Sequence, residues 1–150
     1  MIRIASTGDW HIDEHSRFAD TREILEWFIA SMAIDKPDII TVGGDSSPVS
    51  VRPMTPVERN TLADVYQRLA AIAPVFIVRG NHDCAEADID IFTHLKCAYG
   101  IHAFSKPAIV KGEGVSREPF LLAAFPWPSK GFLMARAKQD GVKLEDVNAA

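Results

Sequence analysis

The sequence predicts an α/β fold: a β-α-β-α-β unit with a parallel sheet. Three observations carry this. Three short apolar segments, residues 2–5, 39–42 and 75–78, have strand character. The two stretches between them repeat apolar residues at three- and four-residue spacing. Each apolar segment then runs into a polar turn holding glycine. Strands alternating with helices of this length are joined by right-handed crossovers, which makes neighbouring strands parallel.

The elements follow in order. Ile2-Arg3-Ile4-Ala5 alternates and reads as the first strand, ended by the turn Ser6-Thr7-Gly8-Asp9. A helix is predicted over 21–33, where Ile24, Leu25, Phe28, Ile29 and Met32 share one face, and Lys36-Pro37-Asp38 stops it. Ile39-Ile40-Thr41-Val42 is apolar enough to be buried on both faces, and Gly43-Gly44-Asp45 ends it. After a loop over 46–54 the second helix has a strong start: Thr55 as N-cap, Pro56 at the first helical position, Glu58 three residues past the cap. Leu62, Val65, Tyr66, Leu69 and Ile72 form its inward stripe and Pro74 ends it. Val75-Phe76-Ile77-Val78 is the third strand, followed by the turn Arg79-Gly80-Asn81-His82-Asp83. The second half reads as a short helix over 87–95, strands over 100–104, 108–110 and 120–125, a turn at Lys111-Gly112-Glu113-Gly114, and a charged, weakly helical tail from Met134.

Composition narrows the class. The chain has 150 residues, 47% hydrophobic and 24% charged, which is ordinary for a soluble globular domain and excludes a disordered chain or a rod. A domain of this size buries about 70% of its unfolded surface. Nothing approaches the roughly 20 apolar residues a membrane helix needs, so no membrane association is expected. Met1-Ile2-Arg3-Ile4-Ala5 leads straight into a polar turn, unlike a signal peptide. The net charge of −4 gives no whole-chain cationic surface, though it leaves room for a local basic patch or for metals that meet phosphate. Cys84 and Cys97 fit no zinc spacing and read as reduced thiols of a cytoplasmic protein.

Three polar clusters sit at equivalent places: Asp9-Trp10-His11 after the first strand, Gly44-Asp45 after the second, Gly80-Asn81-His82-Asp83 after the third. Asp45 lies 36 residues from Asp9, and Asn81 lies 36 from Asp45. Each interval is one crossover long, so the clusters should meet at the carboxyl edge of the sheet, where open α/β folds place ligands. Asp9 and Asp45 offer carboxylate oxygens, His11 an imidazole and Asn81 an amide oxygen. Such a mixed set suits manganese, iron or zinc better than calcium. In Asp9-x-His11 an extended backbone would point both side chains the same way. Asp45, with two oxygens, can bridge two metals. Each motif alone also has an ordinary structural reading; their order after successive strands is what favours a metal site.

The pattern Asp9-x-His11, Gly44-Asp45, Gly80-Asn81-His82-Asp83 resembles the calcineurin-like metallophosphoesterases. Within that family the chain looks most like the SbcD-type DNA exonucleases. Thr7-Gly8-Asp9-Trp10-His11-Ile12, the 47–60 stretch with Thr55-Pro56-Val57-Glu58-Arg59, Val78 to Asp83, and the strand ending in Phe125-Pro126-Trp127-Pro128 carry that likeness, over about residues 1–128. The resemblance implies the N-terminal β-α-β-α-β part of a two-sheet αββα sandwich with a dinuclear centre of divalent metal ions, manganese first, with iron or zinc as alternatives. It implies that Asp9 and His11 hold one metal, that Asp45 bridges, and that Asn81 holds the second metal and touches the phosphate. It implies that His82 is catalytic, approaching the phosphate and helping the leaving oxygen depart. The reaction would be phosphodiester hydrolysis in DNA repair or recombination. The implied partners are DNA and an SMC-like ATPase subunit, with a homodimer in the full-length protein.

The family pattern continues with a further histidine and a Gly-His-x-His motif, and neither follows Asn81 here. His94 and His102 read as structural. Residues 1–150 are therefore expected to be the N-terminal portion of a metallophosphoesterase (nuclease) domain, with sheet edges and an apolar patch left open. Two rival readings remain: a phosphoesterase for nucleotides or phosphoproteins, and an inactive truncated form with half a metal site. Trp10 is either a base-stacking residue or a wedge under its turn. Arg52 and Arg59 either contact DNA phosphate or belong to a solvated surface.

Overall fold

Four parallel strands make the central sheet: β1 (Ile4–Thr7), β2 (Ile39–Val42), β3 (Val75–Val78) and β4 (Ile101–Phe104), side by side in that order. The structure is a computed structural model and describes residues 1–49, 52–83, 89–128 and 130–139. Cys84, part of the short helix predicted over 87–95 and the tail past Gln139 lie outside the described residues. The crossovers are α1 (Phe18–Asp35) and α2 (Pro56–Leu69), and a short 3-10 turn, Ile91–His94, precedes β4. An antiparallel hairpin, β5 (Ala108–Glu113) and β6 (Pro119–Ala124), forms a second sheet, and α3 (Lys130–Gln139) follows.

The α/β prediction and its parallel sheet stand. Thr7 pairs with Val42 and Val42 with Ile77, so β1, β2 and β3 end level and release their turns at one edge. Ile40, Val42, Val75 and Ile77 pack one face of the sheet against Leu25, Ile29 and Met32 of α1 and Leu62, Val65, Tyr66 and Leu69 of α2. On the other face Phe76 meets Phe120 of β6 edge-on at 5.5 Å and stacks on His102 at 4.8 Å. Asp38 fastens the two sheets. Its buried carboxylate accepts the N–H of Arg3 and of Ser116, each at 2.7 Å.

Several boundaries move, each for a local reason. β1 starts two residues late and runs through Thr7, because Ser6 faces away from the helices and its hydroxyl meets that of Thr41 at 3.0 Å. α1 starts three residues early: Arg17 caps it in a left-handed conformation with no side-chain bond, a start without a sequence signature. Ile24, read as part of its inner face, is 63% exposed, since it flanks the Leu25 stripe rather than lying in it. α2 begins with the predicted capping box but ends at Leu69, short of Pro74. Lys111-Gly112-Glu113, read as a turn, lies inside β5, and the reversal falls at 114–118. Gly112 is there because a Cβ would strike the Phe120 ring across the hairpin, not because the chain turns. α3 starts at Lys130, four residues ahead of the predicted tail.

Candidate metal centre

The three loops leaving β1, β2 and β3 lie against one another. The first two run alongside: Gly43 N–H donates to Thr7 O, Asp9 N–H to Gly44 O, His11 N–H to Asp45 O and Ile12 N–H to Ser46 O, at 2.7–3.1 Å. The backbone is not extended here. Asp9, His11 and Asp45 have φ of 61°, 44° and 53°, in the left-handed region that non-glycine residues avoid. The expectation that strand alternation aligns Asp9 with His11 is therefore corrected. β1 stops at Thr7, and two left-handed turns, pinned to the neighbouring loop, bring the side chains together.

Among the described residues, one group of carboxylate and imidazole donors converges: Asp9, His11 and Asp45, whose donor atoms all lie within 4.8 Å of each other. Asp9 Oδ1 stands 3.1 Å from His11 Nε2. Two adjacent ligands on one ion, each at about 2.1 Å and at a right angle, are separated by about 3.0 Å. The pair therefore has the spacing of neighbours in one coordination shell. His11 Nδ1 lies 3.2 Å from Ser47 O. A carbonyl only accepts, so with an ion bound at Nε2 beside Asp9 the proton of a neutral His11 ring would sit on Nδ1. The donor types and their spacing fit a divalent cation.

Asn81 is exposed at the tip of the third loop. Beside it, His82 N–H donates to Asp45 Oδ1 at 2.8 Å. The His82 ring stands edge-on to that of His11, centroids 5.1 Å apart. Its Nδ1 lies 2.9 Å from Val49 O. The structure thus brings Asp9, His11, Asp45 and His82 together and sets Asn81 next to them. Trp10 does not join them. It is 9% exposed, packed on Tyr66 at 5.4 Å and bonded to Thr7 Oγ1 at 2.9 Å. This packing is the one the wedge reading of Trp10 describes.

Three supporting residues carry more than their sequence context suggested. Tyr66, read only as part of a helix stripe, meets Ser46 Oγ at 2.7 Å behind Asp45. Burial, chiefly, raises its phenol above the usual range. Glu58, read as a capping residue, is wholly buried and also accepts Glu14 N–H and two bonds from Arg52. Burial pushes this carboxyl up, but the bonds from Arg52 and from the backbone of Glu14 and Thr55 outweigh it and hold it down at about 2. Arg52 is therefore not a free phosphate contact: it is committed to Glu58 and, at 3.0 Å, to Asp13. The third, Asp83, closes the motif after His82 and is buried with its carboxylate on loop backbone.

The family model for calcineurin-like phosphoesterases matches residues 2–142. The chain is also 28% identical over 89 residues to the SbcD component of the nuclease SbcCD from Staphylococcus saprophyticus. That match takes in 57% of this chain and 24% of the relative, so about a quarter of that relative's length is matched here. No helix among the described residues is long and apolar enough to cross a membrane.

Proposed function

The chain belongs to the calcineurin-like phosphoesterase family, and from that premise we propose that it is part of a metal-dependent phosphodiesterase acting on DNA, an exonuclease of the SbcD type. The observation that carries the reading is the convergence of Asp9, His11 and Asp45 donors within 4.8 Å, with the His82 ring 5.1 Å from that of His11. The likeness to a nuclease component favours DNA over a nucleotide or phosphoprotein.

In this reading Asp9, His11 and Asp45 would hold divalent metal, and Asn81 would offer its amide oxygen as a further ligand. Manganese is the metal proposed, with iron or zinc as alternatives. Metal ions so placed supply an acidified water and offset phosphate charge. The chain's own residues do the rest. Asp45 aligns the His82 backbone through the bond at 2.8 Å. His82, beside Asp45 and the His11 ring, is the residue proposed to give a proton to the departing oxygen. Asn81 orients a phosphate oxygen. The proposed partners are an SMC-like ATPase subunit and a second copy in the full-length protein.

The test is degradation of linear double-stranded DNA with Mn²⁺, set against hydrolysis of a small chromogenic phosphodiester. DNA degradation that His82→Ala reduces by about 10²–10⁴-fold, with metal content unchanged, supports the reading. Hydrolysis of the small ester alone moves the substrate to nucleotides or phosphoproteins. Loss of metal in the His82 variant makes that residue a ligand and overturns its assigned role.

A further inference from the structure

We propose that Asp83 is the positioning residue of this centre: its carboxylate locks the loop bearing Asp45 to the loop bearing Asn81 and His82. The inference rests on Asp45 serving as a metal ligand, as read above. Asp83 is 3% exposed and its two oxygens accept four backbone N–H groups. Oδ2 takes those of Gly80 at 2.8 Å and Asp45 at 2.9 Å. Oδ1 takes those of Ser46 and Ser47, each at 3.1 Å. Three successive N–H groups turned to one anion form the nest that proteins use for bound anions. Here a side chain of the same protein fills it.

The tie is reciprocal. Asp83, on the third loop, holds the backbone of Asp45. Asp45, on the second loop, holds the N–H of His82 at 2.8 Å. The two loops close a ring of side chain, backbone, side chain and backbone. They touch so closely that a Cβ on Gly44 would meet Gly80 N and Cα, and one on Gly80 would meet the Asp45 carboxyl. Asp45 sits at φ 53°, which it leaves unless its neighbours hold it. The nest is what holds it, because its N–H and the next two point at one carboxylate. Asp83 thus reaches no substrate or ion itself; it fixes where Asp45 and His82 stand relative to each other.

Asp83→Asn is the direct test, since it keeps shape while facing an NH₂ group toward N–H donors. Met32→Ala, a core change at the far end of α1, controls for loss of stability alone. The readouts are Mn²⁺ affinity by calorimetric titration and amide hydrogen exchange at Asp45, Ser46, Ser47 and Gly80. Expected is a variant with unchanged helix content, faster exchange at those four amides, and Mn²⁺ affinity down about 10–100-fold, as for other outer-shell partners. Met32→Ala should melt lower and bind as before. Wild-type Mn²⁺ affinity in Asp83→Asn overturns the inference, and so does an equal loss in Met32→Ala. If the wild-type chain binds no Mn²⁺, the metal reading fails on its own. The four amides then still decide the clamp: slowed exchange that Asp83→Asn abolishes supports it, and unchanged exchange overturns it. If Asp83→Asn does not fold, wild-type exchange decides in the same way. Protection of the four amides at the level of the core strands supports the clamp, and exchange as fast as exposed loops overturns it.

Discussion

Glu58→Gln should make the protein both less stable and less sensitive to acid. A carboxyl held at about 2 instead of its ordinary 4.5 favours the folded state by roughly 3 kcal/mol at neutral pH. The folded value is the depressed one. The contribution is therefore complete above the unfolded value near 4.5 and fades as pH falls toward 2. Roughly 2 kcal/mol of it should be gone by pH 3. In the variant, the amide cannot ionise, and it leaves Arg52 with Asp13 as its remaining acidic partner among the contacts described. Urea denaturation of both proteins at pH 7 and pH 3 measures the effect. The gap between them should be about 3 kcal/mol at pH 7, equivalent to roughly 6–12 °C in melting temperature for a domain of this size, and about 1 kcal/mol at pH 3. Taking the difference between the proteins removes the contribution of other carboxylates, Asp38 among them. A gap that stays constant between the two pH values would refute the reasoning, because the charged form of Glu58 would then not be favoured by its bonds to Arg52 and the backbone.

Substitutions at two further positions test the layer beneath the centre. Tyr66→Phe removes the hydroxyl that meets Ser46 Oγ in the core; a loss of roughly 1–2 kcal/mol in denaturation is expected, with Mn²⁺ affinity changed less than in Asp83→Asn. Trp10→Ala empties a buried site against Tyr66 and should cost roughly 3–5 kcal/mol; a Trp10→Phe protein of near-normal stability that loses DNA binding would favour the stacking role over the wedge.

The strands β2 and β3 and the capped start of α2 were legible because apolar runs and capping chemistry are local. What escaped was set across the chain. Gly112 is read as a turn until Phe120 is seen lying over it from the opposite strand. Ser6 and Thr7 read as a turn until Thr41 and Val42 are paired with them. Arg52 read as a free cation because Glu58 and Asp13 meet it only in three dimensions. The residues of the centre were legible through the order of the motifs, yet the way they converge was not. Extended geometry was the natural assumption for Asp9-x-His11, and the left-handed turns at both positions depend on bonds to the next loop.

Those turns bear on why the centre is where it is. A non-glycine residue in the left-handed region costs roughly 1–2 kcal/mol, and Asp9, His11 and Asp45 all occupy it. Glycine at any of the three would relieve the backbone but provide no ligand. The chain keeps carboxylate and imidazole donors at these positions and offsets the strain with bonds that exist only when β1, β2 and β3 end level. Asp9 and His11 are held by the carbonyls of Gly44 and Asp45, and Asp45 by the carboxylate of Asp83. Each loop is thus stable only in the presence of its neighbour. The donors are consequently arranged by the sheet before any ion arrives, and a cation would find Asp9 and His11 already at the spacing of adjacent ligands. A change anywhere in this set of loops should reach the centre, whereas a change at the opposite end of the sheet should alter stability alone.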